Sequence, residues 1–309
     1  MGTHGRKQYS VDFKRDTVAL VTQQATIIEG LRTKRGAMMM RSKLFLAKLF
    51  YNWLYSLRGW DEVATNNYGL APVSPFVERE AGAERYQTQM YQSLVEFGGL
   101  EKWDKYSILE IGCGRGGGLR HIVKWFRPKE IIGLDSSKAA IAFCNKTQVR
   151  FPYPISYLRG DAHRLPFESK QFHVVINVEA SHLYADQGRF FSEVARILKD
   201  DGFCLLADYR KTNKNARGME TLFEQATQAG LVKLAERDIT ANVTEACQFD
   251  AERRAGLIRI APRLVQPYLR NYCAMPRTRK FDKFQRKRRY YFFLKLGKLP
   301  QSLPAIVNK

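Results

Sequence analysis

Residues 108–116 have the sequence Ile108-Leu109-Glu110-Ile111-Gly112-Cys113-Gly114-Arg115-Gly116. An apolar run with one acidic residue, typical of a buried strand, ends there in a Gly-x-Gly-x-Gly turn. Because glycine has no Cβ, such a turn lets the backbone bend sharply and approach a bound ligand closely. Glycine-rich turns after a first strand also serve dinucleotides and phosphates, so the glycines alone do not identify the ligand.

Two details of this turn favour a nucleoside that carries an amino-acid tail. Glu110 lies two positions before the first glycine, where its carboxylate could accept a hydrogen bond from an ammonium group. The third glycine follows the second by only two positions, whereas nicotinamide enzymes have the pattern Gly-x-Gly-x-x-Gly. We therefore expect the ligand to be held by Glu110, Gly112, Cys113, Gly114 and Gly116.

Outward from this turn, short β-branched runs alternate with longer segments of helical periodicity between Tyr106 and Asp208. This alternation is typical of a mostly parallel sheet with helices on both faces. The predicted strands are Ser107 to Ile111, Glu130 to Asp135, Ile155 to Arg159, Phe172 to Val178 and Gly202 to Tyr209. The predicted helices are Gly117 to Phe126, Lys138 to Gln148 and Arg189 to Lys199, with a turn at Asp200-Asp201-Gly202.

Later residues complete a seven-stranded, Rossmann-like α/β sheet. Met219 to Ala229 is predicted as a helix, and Leu231 to Ile239 and Arg289 to Leu296 as the last two strands. The predicted division is an extension at 1–37, an N-terminal helical segment and lid at 38–100, a cofactor-binding core at 101–239, a helical substrate lid at 240–285, the last strand at 286–299 and a tail at 300–309.

The lid should lie over the carboxyl end of the sheet, because it is inserted between the last two strands. Leu257, Ile260, Ala261 and Leu264 recur at helical spacing and are expected to share one side, and Pro262 is expected to kink the run.

The N-terminal segments differ in character from the core. Residues 6–18 resemble the opening of a transposase helix-turn-helix segment, so Met38, Met39 or Met40 is a plausible native start. Lys43 to Trp60 has the pattern of a basic amphipathic helix. Such a helix either packs on the domain or lies in the surface of an anionic membrane.

Charge is concentrated at the two ends of the chain. Of the formal net charge of +21, residues 1–60 contribute +8 and residues 276–309 contribute +10, which leaves +3 for the body. This excess has three interpretations: solvated charge, peripheral contact with an anionic membrane, or nucleic-acid binding. Five scattered cysteines and the lack of a long apolar stretch predict a cytoplasmic protein with neither a disulfide framework nor a membrane span.

Two further acidic positions follow predicted strands. Asp135 ends the second strand, where a carboxylate can accept both ribose hydroxyls, with Ser136 beside it. An alternative role for Asp135 is to cap the next helix.

After the third strand comes Gly160-Asp161-Ala162-His163-Arg164-Leu165-Pro166-Phe167, which resembles the adenine-contacting segment of class I S-adenosylmethionine-dependent methyltransferases. The resemblance implies that Asp161 and Ala162 contact the cofactor, and we add Asn177 as a further candidate.

The candidate catalytic pair follows the fourth and fifth strands. His182 is the best general base, because an imidazole can accept a hydroxyl proton near neutral pH, and Asp208 is placed to orient it. Substrate contacts are expected from Glu179, Tyr184 and Tyr209, and no cluster with metal-ligand spacing is evident.

These motifs also resemble the phthiotriolone and phenolphthiotriolone methyltransferases of mycobacteria and related lipid and natural-product O-methyltransferases, over about residues 50–296. The resemblance implies transfer of a methyl group to a hydroxyl oxygen of an apolar or glycosylated small molecule. Nucleic-acid methylation is the alternative within this chemistry, but Asn177-Val178-Glu179-Ala180 lacks the Asn/Asp-Pro-Pro-Tyr/Phe motif of amino-directed enzymes. A non-catalytic adaptor on the same fold is the alternative from another class.

Overall fold

In the computed structural model the described residues are 63–100, 102–148, 154–212 and 218–298. Seven strands form one sheet in the order β3-β2-β1-β4-β5-β7-β6. They are β1 Ser107–Ile111, β2 Glu130–Asp135, β3 Ile155–Arg159, β4 Phe172–Val178, β5 Leu198–Lys211, β6 Leu231–Asp238 and β7 Arg289–Lys298. Strands β1 to β5 pair in parallel, and β7 runs antiparallel to both of its neighbours. The predicted mostly parallel α/β architecture is confirmed.

Helices cover both faces of this sheet. They are α1 Pro75–Glu80, α2 Arg85–Gly98, α3 Gly117–Phe126, α4 Lys138–Gln148, α5 Gln187–Ile197, α6 Gly218–Gln228, α7 Thr240–Phe249, α8 Ala251–Ile260, α9 Gln266–Tyr272 and α10 Arg279–Gln285. Successive residues of β1 illustrate the two layers: Ile108 belongs to an apolar cluster that includes residues of α2 and α3, whereas Leu109 belongs to one that includes residues of α5 and α6. Each such fully buried side chain contributes roughly 1.5–3 kcal/mol to the stability of the fold.

The fifth strand begins earlier than the sequence suggested. Leu198 is fully buried and pairs with Phe172, so α5 ends at Ile197 and the strand starts at once. The Asp200-Asp201-Gly202 segment is therefore an irregularity inside β5, where the pairing register with β4 shifts, and the predicted separate turn is wrong.

The shared apolar side predicted for the lid does not form. Ala261 is 3% exposed, whereas Ile260 and Leu264 are 51% and 75% exposed. The reason is local: Ala261 has extended backbone before Pro262, α8 ends at Ile260, and the helical period is not continued into α9. The turn between α8 and α9 thus presents apolar side chains to solvent.

The remaining boundaries expected at the ends of the chain are not tested. Residues 1–37, the Lys43 to Trp60 segment and the 300–309 tail lie outside the described residues. Within the described ranges, no helix has the length and hydropathy needed to cross a bilayer.

Candidate active site

The carboxyl ends of the central strands border a cavity of about 1050 Å³. It lies where the strand order reverses, between β1 and β4, which is the usual ligand position in an open α/β sheet. Its lining comes mainly from the loops that follow β1, β2, β3 and β4, together with residues 64–67. Among the residues expected to bind a cofactor, those that line it are Gly112, Cys113, Gly114, Asp135, Ser136, Asp161 and Ala162.

The glycine turn adopts backbone conformations that favour glycine. Gly112 has φ +80°, and a Cβ added there would lie 2.6 Å from the Cβ of Ala180. Gly116 has φ +73° and precedes α3, but an added Cβ would meet the hydroxyl of Tyr157 at 2.4 Å. Gly116 therefore packs against β3 and is not part of the cavity wall, whereas Gly112 is.

Asp135 connects two backbone segments of the cavity wall. Its Oδ2 accepts from the Gly114 N–H at 2.9 Å, and its Oδ1 accepts from the Ser137 N–H at 2.7 Å. The carboxylate thus holds the turn before α4 and supports the glycine turn, whereas the cap of α4 is the Ser137 hydroxyl, which accepts from the Ala140 N–H at 3.2 Å. Asp135 also lines the cavity itself.

Glu110 is a fully buried carboxyl group beside the cavity. Its Oε1 accepts from the Tyr91 hydroxyl at 2.7 Å, while its Oε2 has no hydrogen-bond partner among the described residues. Burial raises the pKa of Glu110 to about 8. Glu110 does not itself line the cavity, but its partner Tyr91 does, and a donor that reached Oε2 would favour the ionised carboxylate.

Three other expected residues have distinct positions. Asp161 is 62% exposed at its side chain and accepts from Nδ1 of His163 at 2.7 Å. Asn177 is fully buried behind the wall, where its amide donates to the Ile111 carbonyl at 2.7 Å and to the Tyr184 hydroxyl at 2.9 Å. Tyr184, which was expected to contact the substrate, also lines this cavity.

A second cavity of about 850 Å³ adjoins the first. His182 and Tyr209 contribute to its wall, and the lid contributes Arg254, Tyr272 and Lys280. The residues common to both cavities are Thr65, Asn66, Asn67, Glu179 and Leu183. A molecule in the second cavity can therefore approach a ligand in the first at this junction.

His182 and Asp208 are in direct contact. Nδ1 of His182 lies 2.7 Å from Oδ1 of Asp208, and the His182 N–H donates to Oδ2 at 2.9 Å. Ser181 donates its hydroxyl to the same carboxylate, and an Arg210 nitrogen lies 3.3 Å from it. Burial opposes ionisation of Asp208, but the charges of His182 and Arg210 outweigh burial and hold its pKa below the usual range.

This contact fixes which nitrogen of His182 can act as a base. A carboxylate only accepts, so Nδ1 carries the proton and Nε2 is left as the acceptor. Nε2 lies 3.0 Å from the hydroxyl of Tyr209, which donates to it. The basic nitrogen therefore faces the second cavity, on the side occupied by Tyr209.

Glu179 lies at the junction in a conformation that is rare for residues other than glycine. Its φ is +50°, and its Oε1 accepts from the Tyr68 N–H and from the Tyr291 hydroxyl, both at 2.6 Å. Burial raises the pKa of Glu179 to about 7. Strained backbone of this kind persists where the surrounding structure holds it, and it is common at functional sites.

Several residues of the site carried no signal in the sequence. Asn66 and Asn67 precede the core, and Lys280 lies in the lid, each far along the chain from the strands. None belongs to a spaced motif, so only the fold brings them to the cavities. Among the described residues, no group of three His, Cys, Asp or Glu side chains could hold a metal ion.

Comparison with known proteins identifies the family. A model described as a methyltransferase domain matches residues 109–206. The fatty-acid O-methyltransferase of Mycolicibacterium smegmatis is 30% identical over 255 residues, covering 80% of this chain and 89% of the relative. The phthiotriol/phenolphthiotriol dimycocerosates methyltransferase of Mycobacterium tuberculosis is 32% identical over 206 residues, covering 65% and 72% of the two chains.

Solved structures share the fold. The [4+2]-cyclase SpnF aligns with a TM-score of 0.63 at 15% identity, over 82% of this chain and 95% of that one. Geranyl diphosphate C-methyltransferase of Streptomyces coelicolor aligns with a TM-score of 0.60 at 16% identity, over 82% and 97%. The chain therefore belongs to the class I S-adenosylmethionine-dependent methyltransferases, and S-adenosylmethionine is its methyl donor.

Proposed function

We propose that the enzyme transfers the methyl group of S-adenosylmethionine to a hydroxyl oxygen of a lipid, with His182 as the general base. The observation that carries this proposal is the His182–Asp208 pair, whose basic nitrogen faces the cavity next to the candidate cofactor cavity. A buried carboxylate that holds an imidazole in one tautomer is the arrangement that removal of a hydroxyl proton requires.

The first cavity is the proposed cofactor site. The unpartnered oxygen of Glu110 fits the methionyl ammonium, Asp135 fits the ribose hydroxyls, and Asp161 with Ala162 fits the adenine. Gly112, Cys113, Gly114 and Ser136 complete the wall. When bound there, the cofactor supplies an activated methyl group on a sulfonium, so the protein's main task is to align the acceptor oxygen.

The proton of the acceptor hydroxyl is proposed to end on Nε2 of His182. In this structure the Tyr209 hydroxyl is hydrogen-bonded to Nε2. The acceptor hydroxyl therefore either displaces the Tyr209 hydroxyl or transfers its proton to Nε2 through it. Asp208, which is ionised and buried, stabilises the imidazolium that forms. The sequence-based hypothesis for these two residues stays a prediction until turnover is measured.

A lipid acceptor is favoured by the relatives and by the cavity. The names of both relatives specify apolar molecules, a fatty acid and phthiotriol dimycocerosates. The second cavity offers the aromatic and aliphatic surfaces of Tyr68, Leu183, Leu257 and Tyr272. Cavities lined by aromatic and aliphatic side chains with a few polar groups are typical sites for apolar ligands.

The test is turnover with octadecanediol as the acceptor. His182→Gln is expected to lower kcat by on the order of 10² to 10⁴ while cofactor affinity is retained, because only proton removal is lost. His173→Gln is the matched control, since His173 lies at the amino end of β4, away from both cavities, and should keep nearly full turnover. Unchanged kcat in His182→Gln would remove His182 from the mechanism.

A second candidate function is methylation of a fatty-acid carboxylate, which the name of the Mycolicibacterium smegmatis relative favours. A carboxylate is already ionised near neutral pH and needs no base. That reaction would therefore give a methyl ester and would proceed at similar rates in the wild-type enzyme and in His182→Gln.

A further inference from the structure

Lys280 is a buried cation in the wall of the second cavity. Its Nζ donates to the Tyr68 hydroxyl at 2.5 Å and to the Tyr272 carbonyl at 3.2 Å. The same ammonium lies 5.2 Å from the centre of the Tyr68 ring and 5.0 Å from the centre of the Tyr272 ring. Because an ammonium has three donors, one N–H remains for a further acceptor.

No carboxylate of the described residues forms an ion pair with Lys280. The two other cations in this wall are paired: Arg253 lies 2.6 Å and Arg254 2.9 Å from the buried carboxylate of Asp250. Glu179 faces the same cavity, but its Oε1 is engaged by Tyr68 and Tyr291. Lys280 is thus a cation in this wall without an ion pair among the described residues, and the charge of Glu179 favours its protonated form only through space, against the opposing charge of Arg289.

A buried ammonium without an ion pair is costly, because desolvation disfavours its charged form. Burial lowers the pKa of Lys280 to about 8, which still leaves the side chain mostly protonated at neutral pH. A ligand that brought one negative charge to this nitrogen would compensate it. A single ammonium matches a singly charged carboxylate better than a phosphate, whose second charge would remain unpaired near Glu179.

Building on the proposed function, we propose that Lys280 binds a carboxylate of the acceptor, so that the acceptor is a hydroxylated fatty acid. The carboxylate would be the anchor and the hydroxyl the methyl acceptor. Lys280 lines only the second cavity, whereas the junction with the first is formed by other residues, including Glu179 and Leu183. A carboxylate held at Lys280 would therefore lie in the second cavity and not in the candidate cofactor cavity.

The aromatic rings of Tyr68 and Tyr209 lie in a row between Lys280 and His182. Tyr68 contacts Lys280, the rings of Tyr68 and Tyr209 are 6.0 Å apart, and Tyr209 lies 4.4 Å from the ring of His182. The aliphatic chain of a hydroxy fatty acid can lie along these apolar faces. The anchor and the base are then separated along one wall, with the hydroxyl near His182.

The test compares hydroxystearic acid, its methyl ester and octadecanediol as acceptors. Hydrogen bonds between charged groups are stronger than those between neutral groups, so the wild-type enzyme should favour the acid over the ester by about tenfold or more in kcat/KM. Lys280→Met should lose this preference, because its KM for the acid should rise much more than its KM for the ester. Lys280→Arg keeps the charge and should retain most of the preference.

A binding measurement separates this inference from the proposed reaction. Fluorescence titration with cis-parinaric acid and with its methyl ester reports the anchor without any turnover. Weaker binding of the acid alone by Lys280→Met supports the carboxylate site even if no hydroxyl is methylated. Equal losses for acid and ester, or equal affinity of the wild-type enzyme for both, would overturn it and assign Lys280 a structural role. Thermal unfolding of both variants confirms that they are folded.

Discussion

The carboxylate of Asp208 determines what His182 can do. It accepts from the His182 Nδ1–H, from the His182 and Tyr209 backbone N–H groups and from the Ser181 hydroxyl. The sequence predicted this pair because β4 and β5 are neighbours, and their register places Val178 beside Ala207. Lys280 could not be predicted in the same way: its partner Tyr68 is 212 positions away, and no strand pairing connects them.

Replacing Asp208 with asparagine tests the tautomer directly. The amide can donate to Nδ1 of His182, which would move the ring proton to Nε2 and remove the basic site. We expect kcat to fall by on the order of 10² to 10⁴ with cofactor affinity nearly unchanged. Asp200→Asn, on the exposed part of the same strand, should have no effect on kcat. Near wild-type turnover of Asp208→Asn would show that the tautomer is not important.

Glu110 predicts a pH dependence of stability in the cofactor-free enzyme. Burial raises its pKa from the usual 4.5 to about 8, so the fold favours the protonated carboxyl. The contribution of Glu110 to stability is therefore full below about pH 4.5 and is lost as pH rises through about 8. Glu179 acts in the same direction, so the informative quantity is the difference between variants.

Glu110→Gln should flatten this dependence, because glutamine does not titrate. Thermal unfolding without cofactor should show a smaller decrease in Tm from pH 5 to pH 8 in the variant than in the wild type. Calorimetry should also show weaker S-adenosylmethionine binding by the variant. If Tm changed equally with pH in the two proteins, the Glu110 carboxyl would not be the source of the pH dependence.

At the scale of elements, local patterns predicted the strands better than the lid. The strands of the core match the expected ranges within four residues at each end. The apolar side predicted for the lid did not form because α8 ends at Ile260 and the backbone is extended at Ala261, so the helical period carries no information beyond this point. The segment 63–68 lines both cavities, but no sequence motif marks it. Its residues lie in a loop that is positioned by contacts far along the chain, so the sequence did not predict their place.

The glycine turn can be tested by comparing two glycines of similar backbone. Gly112 and Gly230 have φ +80° and +82°, but an added Cβ meets Ala180 at the first and open space at the second. Gly230→Ala should lower the free energy of unfolding by only roughly 1–2 kcal/mol, because alanine has a Cβ that is unfavourable in left-handed backbone. Gly112→Ala should cost more and should also weaken cofactor binding in calorimetry. Equal effects at both positions would argue against close packing at the turn.

At the scale of the whole molecule, charge is divided unevenly. Residues 61–275 carry +3 of the net +21, and the ends carry the rest. We propose that these basic ends attract anionic membrane surfaces, which would bring the enzyme to lipid acceptors. The charge pattern was evident from sequence; residues 1–62 and 299–309 lie outside the described residues, and contact of either end with a membrane stays a prediction.

Vesicle sedimentation tests that attraction. Binding to phosphatidylglycerol vesicles should be measurable at low ionic strength and should decrease as salt is raised, because screening shortens electrostatic range to roughly 10 Å at 0.1 M. Phosphatidylcholine vesicles should bind weakly at any salt concentration. Equal binding to both kinds of vesicle would exclude charge as the cause.

The most direct test of the central claim uses one acceptor that offers both oxygen nucleophiles. Hydroxystearic acid and S-adenosylmethionine are incubated with the wild-type enzyme and with His182→Gln, and mass spectrometry distinguishes the methyl ether from the methyl ester. We predict the ether from the wild-type enzyme and a loss of at least about 10² in its rate of formation in the variant. The methyl ester, formed equally well by both proteins, would contradict transfer to a hydroxyl through His182.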